Sequence, residues 1–386
     1  MKSTAAVVVI GGGVIGASVA YHLARKGVGD IVIIDAAPRP GSGSTGKATG
    51  GYRAQFATDI NVRLSLLSLG KLLAFEDDTG VDPGYSPVGY LWIASSDREL
   101  EWLHAAGEVQ ASAGLEGARM LSPDDVSRLN PAVRMDGIRG GAFCQSDGYI
   151  RPLEILRGYL EAGARHRVEL RWETECLGFE LRRNRIARVL TSRGAIEAAS
   201  VVNAAGPWAA SVAAMAGVDL PVSALRRQAA ITEPTGAIPA SMPMTIFLDN
   251  GFHLRARDGR ALLCWPTAGA RNDPFNLDVE EDWLAECERM MRTRVPVLSG
   301  ISLDRPACYA GLYEMSPDKH PILGYASECP NMFLVNGSSG HGVMHSPALG
   351  AIAADMICGD EPEIDVRSLR PSRFAEGATI PNTDLL

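Results

Sequence analysis

The chain has 386 residues, 46% of them hydrophobic and 21% charged, which describes a folded protein longer than one ordinary core. A net charge of −8 excludes a nucleic-acid groove, which needs clustered Lys and Arg. The seven cysteines (Cys144, Cys176, Cys264, Cys287, Cys308, Cys329 and Cys358) are scattered without a C-x-x-C, so neither a metal site nor a disulfide framework is expected, and the expected compartment is the cytoplasm.

The first element is an apolar strand, Ala5-Ala6-Val7-Val8-Val9-Ile10. Gly11, Gly13 and Gly16 follow in G-x-G-x-x-G spacing, and Val14, Ile15, Val19, Ala20 and Leu23 recur at helical spacing. A second strand, Ile31-Val32-Ile33-Ile34, ends at Asp35 and Ala36. Strand, glycine turn, helix, strand and acid in one βαβ unit point to a bound dinucleotide. Small residues let the backbone approach a pyrophosphate, the helix N-terminus offers free N–H groups and a positive dipole end, and Asp35 can accept ribose hydroxyls. Lys2 and the apolar run behind it imitate a secretory signal, but cleavage after that run would destroy the glycine turn.

A second glycine loop comes next. Gly41, Ser42, Gly43, Ser44, Thr45, Gly46, Lys47, Ala48, Thr49, Gly50 and Gly51 lead into Tyr52 and Arg53. Such a loop can lay many backbone N–H groups against phosphates and a ring system, and it favours a flavin dinucleotide over NAD. It runs into an amphipathic helix marked by Ile60, Leu64, Leu67 and Leu72. Residues 87–94 and 260–265 read as apolar strands, and 100–113 and 280–295 as amphipathic helices. Arg182, Arg183 and Arg185 read as a solvated strand edge or turn. Val201-Val202-Asn203 is a buried strand ending in a small-residue turn, Ala204-Ala205-Gly206, before Pro207 and Trp208. The uncharged stretch 198–218 approaches spanning length but is interrupted by Asn203, Gly206, Pro207 and Ser211, so no transmembrane segment is expected. Last, a strand at 332–336 meets the turn Gly337, Ser338, Ser339, Gly340, His341, Gly342, and Val343 and Met344 open a helix running to Cys358. Again a glycine turn feeds a helix N-terminus, a place suited to developing negative charge.

Taken together these segments resemble the D-amino-acid-oxidase-like superfamily of FAD oxidoreductases, nearest the branch of sarcosine oxidase β subunits, dye-linked proline dehydrogenase β subunits and dimethylglycine dehydrogenase. The resemblance runs end to end. Its most specific pieces are the loop 41–47, Ala310-Gly311-Leu312-Tyr313-Glu314-Met315-Ser316-Pro317-Asp318, and Gly340-His341-Gly342-Val343-Met344-His345-Ser346-Pro347. It implies a two-lobed α/β (α+β) fold: a discontinuous, Rossmann-like FAD-binding lobe over 1–85, 145–218 and 305–386, and a substrate lobe over 86–144 and 219–304 built on a mixed, mainly antiparallel sheet. It places Cys176 beside the adenine. Gly311 stands where monomeric sarcosine oxidases carry the Cys that anchors FAD, Cys308 lies too early, and the N-terminal covalent-His pattern of dimethylglycine dehydrogenases is missing, so non-covalent FAD is expected.

The implied reaction moves a hydride from the α-carbon of a small amine to flavin N5, leaving an imine that water hydrolyses. A secondary amine or imino acid of proline, hydroxyproline, sarcosine or opine type is the leading substrate class. A D-amino-acid dehydrogenase and a flavoprotein subunit active only within a hetero-oligomer are the alternatives. Arg53 is the first candidate for holding a substrate carboxylate with its bidentate fork, and Arg255 the second. His253 and Tyr313 are candidates to orient substrate or accept a proton through water, His341 to face cofactor or substrate, and Lys47 to steady the cofactor. The turn 337–342 is the candidate for stabilising negative charge on the reduced flavin. The monomeric oxidases place a Lys after their Gly-His-Gly-Phe and another on the strand matching 262–265. Here Met344 follows Val343 and that strand has no Lys, so an electron acceptor other than oxygen is expected. The chain has no cluster-binding cysteines, so any iron–sulfur relay would sit on a partner subunit.

Overall fold

The computed structural model describes residues 3–267, 273 and 275–381, so Lys2 lies outside the described residues. Thr4–Ile10 has parallel partners on both sides, Gly194–Asn203 and Ile31–Ile34, and Met332–Asn336 adds a fourth parallel strand beyond Gly194–Asn203. Val7 and Val9 pack with the helices Val14–Arg25, Pro152–Arg165 and Gly342–Cys358, while Ala5, Val8 and Ile10 pack on the other face with the helix Ala209–Ala214 and a β-hairpin. Cover on both faces is why this strand is apolar at nearly every position rather than alternating. Glu169–Arg171 extends the sheet in parallel at one edge, and Ile322–Tyr325 closes the other edge antiparallel.

Register then positions the site. Ile10 pairs with both Ile34 and Asn203, and Asn203 with Leu334, so the turns that follow the four strands open along one edge of the sheet. That carboxyl edge is where parallel α/β sheets bind ligands. The helices leaving two of these turns lie against each other through small groups. Ser18 Oγ donates to the Ser346 carbonyl at 2.8 Å, and Gly350 faces Ser18 so closely that any side chain there would collide with it. Pro347 sits inside the second helix, and Ser346 Oγ bonds the Val343 carbonyl that the missing proline N–H would have reached.

A second eight-stranded sheet runs Tyr309–Met315, Ser223–Ile231, Arg260–Cys264, His253–Arg257, Met244–Phe247, Tyr90–Ala94, Gly140–Cys144 and Arg119–Leu121. Its pairings are antiparallel except that of Met244–Phe247 with Tyr90–Ala94. Helix Glu281–Arg294 buries Trp283, Leu284, Met290 and Met291 against one face, with Leu254 and Leu263 in the same core. Tyr309–Met315, grouped by sequence with the cofactor segments, is an edge strand of this second sheet. Arg183 and Asn184 form the left-handed tip of the hairpin between Cys176–Arg182 and Arg185–Thr191. The stretch 198–218 divides between strand, turn and the short helix Ala209–Ala214, and no described helix is long and apolar enough to cross a membrane.

The Ser-Pro-Asp motif is structural. Arg373, with no exposed surface, is paired with Asp318 through Nε–Oδ2 at 2.8 Å and Nη2–Oδ1 at 2.9 Å, and donates to the carbonyls of Leu369 and His320. Ser316 Oγ donates to the His320 carbonyl at 2.7 Å, and the Ser316 N–H donates to Ser339 Oγ at 3.2 Å, which ties this knot to the turn at 337–342. Leaving one partner of a buried ion pair uncompensated costs roughly 3–5 kcal/mol. Arg373→Met should lower the unfolding free energy in urea by about that amount, and adding Asp318→Asn should recover part of the loss, because it removes the buried charge that the first change left uncompensated.

Candidate active site

A cavity of about 980 Å³ lies between the carboxyl edge of the first sheet and the second sheet. That is the top of the roughly 300–1,000 Å³ range of small-molecule sites. At one end the glycine turn forms a backbone cradle. Gly11 has φ +110°, and a side chain on it would collide with the Ala204 carbonyl. At Gly13 the nearest atom to an added methyl is Thr45 Oγ1 at 3.4 Å, so the chain leaves room there and the methyl would enter the cavity. Asp35 staples the turn: Oδ2 accepts the Gly12 N–H at 2.6 Å and Oδ1 the Ala37 N–H at 2.8 Å, leaving lone pairs for a ligand hydroxyl. Thr45 Oγ1 accepts the Val14 N–H at 3.1 Å, so its own proton remains available to donate.

Ser44 Oγ and Ser338 Oγ are buried, line the cavity and have no hydrogen-bond partner of normal geometry among the described residues. Buried polar atoms are nearly always paired, and two orphans on separate loops of one elongated cavity fit a ligand with oxygen and nitrogen atoms along its length. The residues present therefore fit FAD. Ile15, Ala36, Ser42, Gly43, Lys47, Ala48, Thr49, Gly50, Gly51, Cys176, Ala204, Ala205, Gly206, Trp208, Gly311 and residues 339–344 line the same cavity. The stem of Lys47 packs against Gly311, where a side-chain carbon would stand 2.7 Å from Lys47 Cβ.

Three expected contacts fall elsewhere. Gly16 lies off the cavity, where a methyl would strike the Gly11 carbonyl; it serves the packing of helix on turn. Gly337, at φ +70°, is the pivot of its turn, with Ser316 Cβ 2.9 Å from where a methyl would stand. Arg255 does not reach the cavity either. Its Nη1 donates to the carbonyls of Thr49 at 2.8 Å and Gly50 at 2.9 Å, and its guanidinium lies 3.5 Å above the Tyr149 ring. The left-handed Gly50 turns those carbonyls toward it, so Arg255 clamps the loop to the second sheet instead of facing a substrate.

At the other end of the cavity Arg53 is buried between the rings of Phe56 and Trp92, 4.0 and 5.0 Å from its guanidinium carbon. Its Nη1 donates to the Gln55 carbonyl at 3.0 Å and its Nη2 to His341 Nε2 at 3.2 Å. A guanidinium only donates, so His341 accepts through Nε2 and is neutral, with its proton on Nδ1. Burial and the Arg53 charge hold its pKa well below the usual imidazole value. Burial also draws Arg53 down to about 10, which leaves it charged at neutral pH. Asp147, pushed up to about 6 by burial, accepts the Ala54 N–H at 2.7 Å and the Gln55 amide at 2.9 Å, and its charge acts on Arg53. His253 Nδ1 donates to the Gly251 carbonyl at 2.8 Å, which leaves the Nε2 lone pair for the cavity. Burial lowers its pKa to about 4, with Arg53 and Arg227 adding to the effect.

Among the cavity residues that escaped the sequence reading, two carry charge that bears on the chemistry. Arg227 lies in a strand whose consecutive arginines must face opposite ways, and nothing local says which faces inward. Glu314 sits inside the 310–318 motif, next to Tyr313. Its Oε1 accepts the Ser338 N–H at 3.3 Å, and burial raises its pKa to about 7 against the opposing hydrogen bonds from Ser338 and Gly337. Among the described residues no cluster of His, Cys, Asp and Glu could hold a metal ion.

Gly13→Ala should fold with an unchanged apoprotein melting temperature yet retain under about a tenth of the flavin, read as the visible flavin-to-protein absorbance ratio. Glu314 supplies a pH test. Folding raises its pKa from 4.5 to about 7, so the unfolded chain ionises first and stability falls as pH rises across that window. Glu314→Gln should therefore stabilise the apoprotein by up to about 3 kcal/mol near pH 8 and by almost nothing near pH 4, measured by urea titration.

A model of the DAO family, FAD dependent oxidoreductase, matches residues 6–356. Sarcosine dehydrogenase, mitochondrial, of Mus musculus is 29% identical over 395 residues, covering 98% of this chain and 42% of that protein. Dimethylglycine dehydrogenase, mitochondrial, of Rattus norvegicus is 27% identical over 405 residues, covering 99% of this chain and 46% of that protein. The chain thus spans less than half the length of these curated relatives. Of solved structures, L-proline dehydrogenase from P. horikoshii superposes with a TM-score of 0.91 at 26% identity, over 98% of this chain and all of that one. With the cradle, the second glycine loop and the late turn lining one cavity, and a family match over nearly the whole length, the chain belongs to the DAO family of FAD-dependent oxidoreductases.

Proposed function

We propose that this chain oxidises a small secondary amine or imino acid bearing a carboxylate, using non-covalent FAD and passing electrons to an acceptor other than oxygen. The observation that carries the reading is the buried Arg53, oriented by His341 and two aromatic rings at the end of the cavity lined by the late glycine turn. Sarcosine and proline dehydrogenases among its relatives support the same substrate class. FAD, when bound, supplies the hydride acceptor.

The chain's own residues prepare the amine. Only the neutral amine has the lone pair that drives hydride departure from the adjacent carbon. The guanidinium charges of Arg53 and Arg227 in a desolvated cavity disfavour an ammonium there. His253 Nε2, unprotonated at neutral pH, is the acceptor for a hydrogen bond from the amine, and Arg53 holds the carboxylate. The N–H groups of the turn 338–342, at the start of helix Gly342–Cys358, are fixed before negative charge develops beside them. Gly311 in place of an anchoring cysteine supports non-covalent binding, and the lack of a Lys on the strand 262–265, where monomeric oxidases carry one, supports a slow reaction with oxygen. We assign the cofactor lobe to 1–85, 145–218 and 305–386 and the substrate lobe to 86–144 and 219–304, with Tyr309–Met315 crossing over to form an edge strand of the second sheet.

The test is dye-linked turnover by the purified single chain with sarcosine, N-methylated amino acids, L-proline and D-amino acids. Turnover with a secondary amine acid supports the reading. Turnover only with D-amino acids, or only after addition of a partner protein, replaces it. Arg53→Ala should raise KM for the active acid by an amount equivalent to about 2–4 kcal/mol, and an unchanged KM would move the carboxylate elsewhere.

A further inference from the structure

Strand Ser223–Ile231 carries two consecutive arginines on opposite faces. Arg226 is paired with Glu280 at 2.7 Å and with the Asp278 carbonyl at 2.8 Å. Arg227 faces the cavity. Its Nη1 donates to the Thr267 carbonyl at 2.9 Å, and its guanidinium carbon lies 5.9 Å from the centre of the Tyr313 ring. Among the described residues no carboxylate pairs with it. One carbonyl and one ring satisfy little of a five-donor cation, and this half-buried guanidinium keeps donors facing the cavity with no counter-ion beside them among the described residues. Arg53 differs, since Asp147, two rings and His341 already serve it.

The two guanidiniums bracket the same wall. Both act on His253 and both act on Tyr313, so these side chains stand within electrostatic reach of each. A ligand with one carboxylate would reach Arg53 and leave Arg227 without an anion.

We propose that Arg227 is a second anion-binding group, so that the cavity takes an amine flanked by two carboxylates, an N-carboxyalkyl amino acid of the iminodiacetate or opine type. One carboxylate meets Arg53 and the other the free face of Arg227, with the nitrogen between them near His253. The substrate's two negative charges then neutralise both guanidiniums. This assignment rests on the amine-oxidation reading for its chemistry but not for its binding geometry.

The experiment separates the two. Thiodiacetate and methylthioacetate replace the amine nitrogen by sulfur and differ by one carboxylate. Each is titrated into flavin-loaded protein and followed by perturbation of the flavin spectrum. The wild type should bind thiodiacetate at least about 30-fold more tightly, the worth of one charge-assisted hydrogen-bonded pair. Arg227→Met should bring the ratio within about threefold of unity, while Arg227→Lys keeps part of it. Retained flavin shows that each variant has folded. No preference in the wild type, or an equal loss for both compounds in Arg227→Met, overturns the proposal. Iminodiacetate and sarcosine are then tested as anaerobic reductants. A thiodiacetate preference without reduction by either amine upholds the anion subsite and removes the amine-oxidase reading. Reduction by sarcosine without the preference does the reverse.

Discussion

Ile10 stands level with Ile34 on one side and Asn203 on the other, and that register decides where the chemistry can occur. A parallel sheet sends each strand out through the same edge, so the turns at Gly11, Asp35, Ala204 and Gly337 converge although hundreds of residues separate the first from the last. Two helices leave that edge side by side, locked by Ser18 against Ser346 and Gly350. Their N-terminal ends, at Val14 and Gly342, both border the cavity. Adjacent parallel helix dipoles place two partial positive charges together, an arrangement that an anionic ligand relieves.

The second constraint is positive charge on a largely buried wall. Arg53 and Arg227 bring positive charge to a wall otherwise made of Tyr90, Trp92, Met244 and Ile246, and the imidazoles beside it are held neutral by burial. Such a cavity favours acids over bases: it attracts carboxylates and disfavours ammonium ions. The hydrogen bonds fix the imidazole tautomers. His341 gives its Nε2 lone pair to Arg53, whereas His253 keeps its own free for a ligand because Gly251 takes the Nδ1 proton.

The cofactor half was legible in the sequence because its signals are local. Glycines at set spacing, an acid at a strand end and a glycine turn before a helix each depend on backbone geometry within a few residues. Gly16 and Gly337 show the limit of that logic: both belong to the motifs, yet one serves helix packing and the other a backbone pivot. The substrate half was less legible because it is assembled across strands. His253 and Arg255 share a face of one strand, but the Thr49 and Gly50 carbonyls intercept Arg255 before it reaches the cavity. Arg227 replaces it in the lining from another strand of the sheet, and only the folded structure shows that Arg226 turns to Glu280 while Arg227 turns inward. Glu314 was hidden for a similar reason, since its importance comes from Ser338, a residue distant in sequence.

The most direct test of the central claim is anaerobic mixing of the purified yellow protein with sarcosine, L-proline, iminodiacetate and a D-amino acid such as D-alanine, each separately, with air readmitted afterwards. The account predicts rapid loss of the visible flavin band with at least one of the first three, and slow return of colour in air. A flavin that no carboxylate-bearing secondary amine bleaches, or one that a D-amino acid alone bleaches, would contradict it.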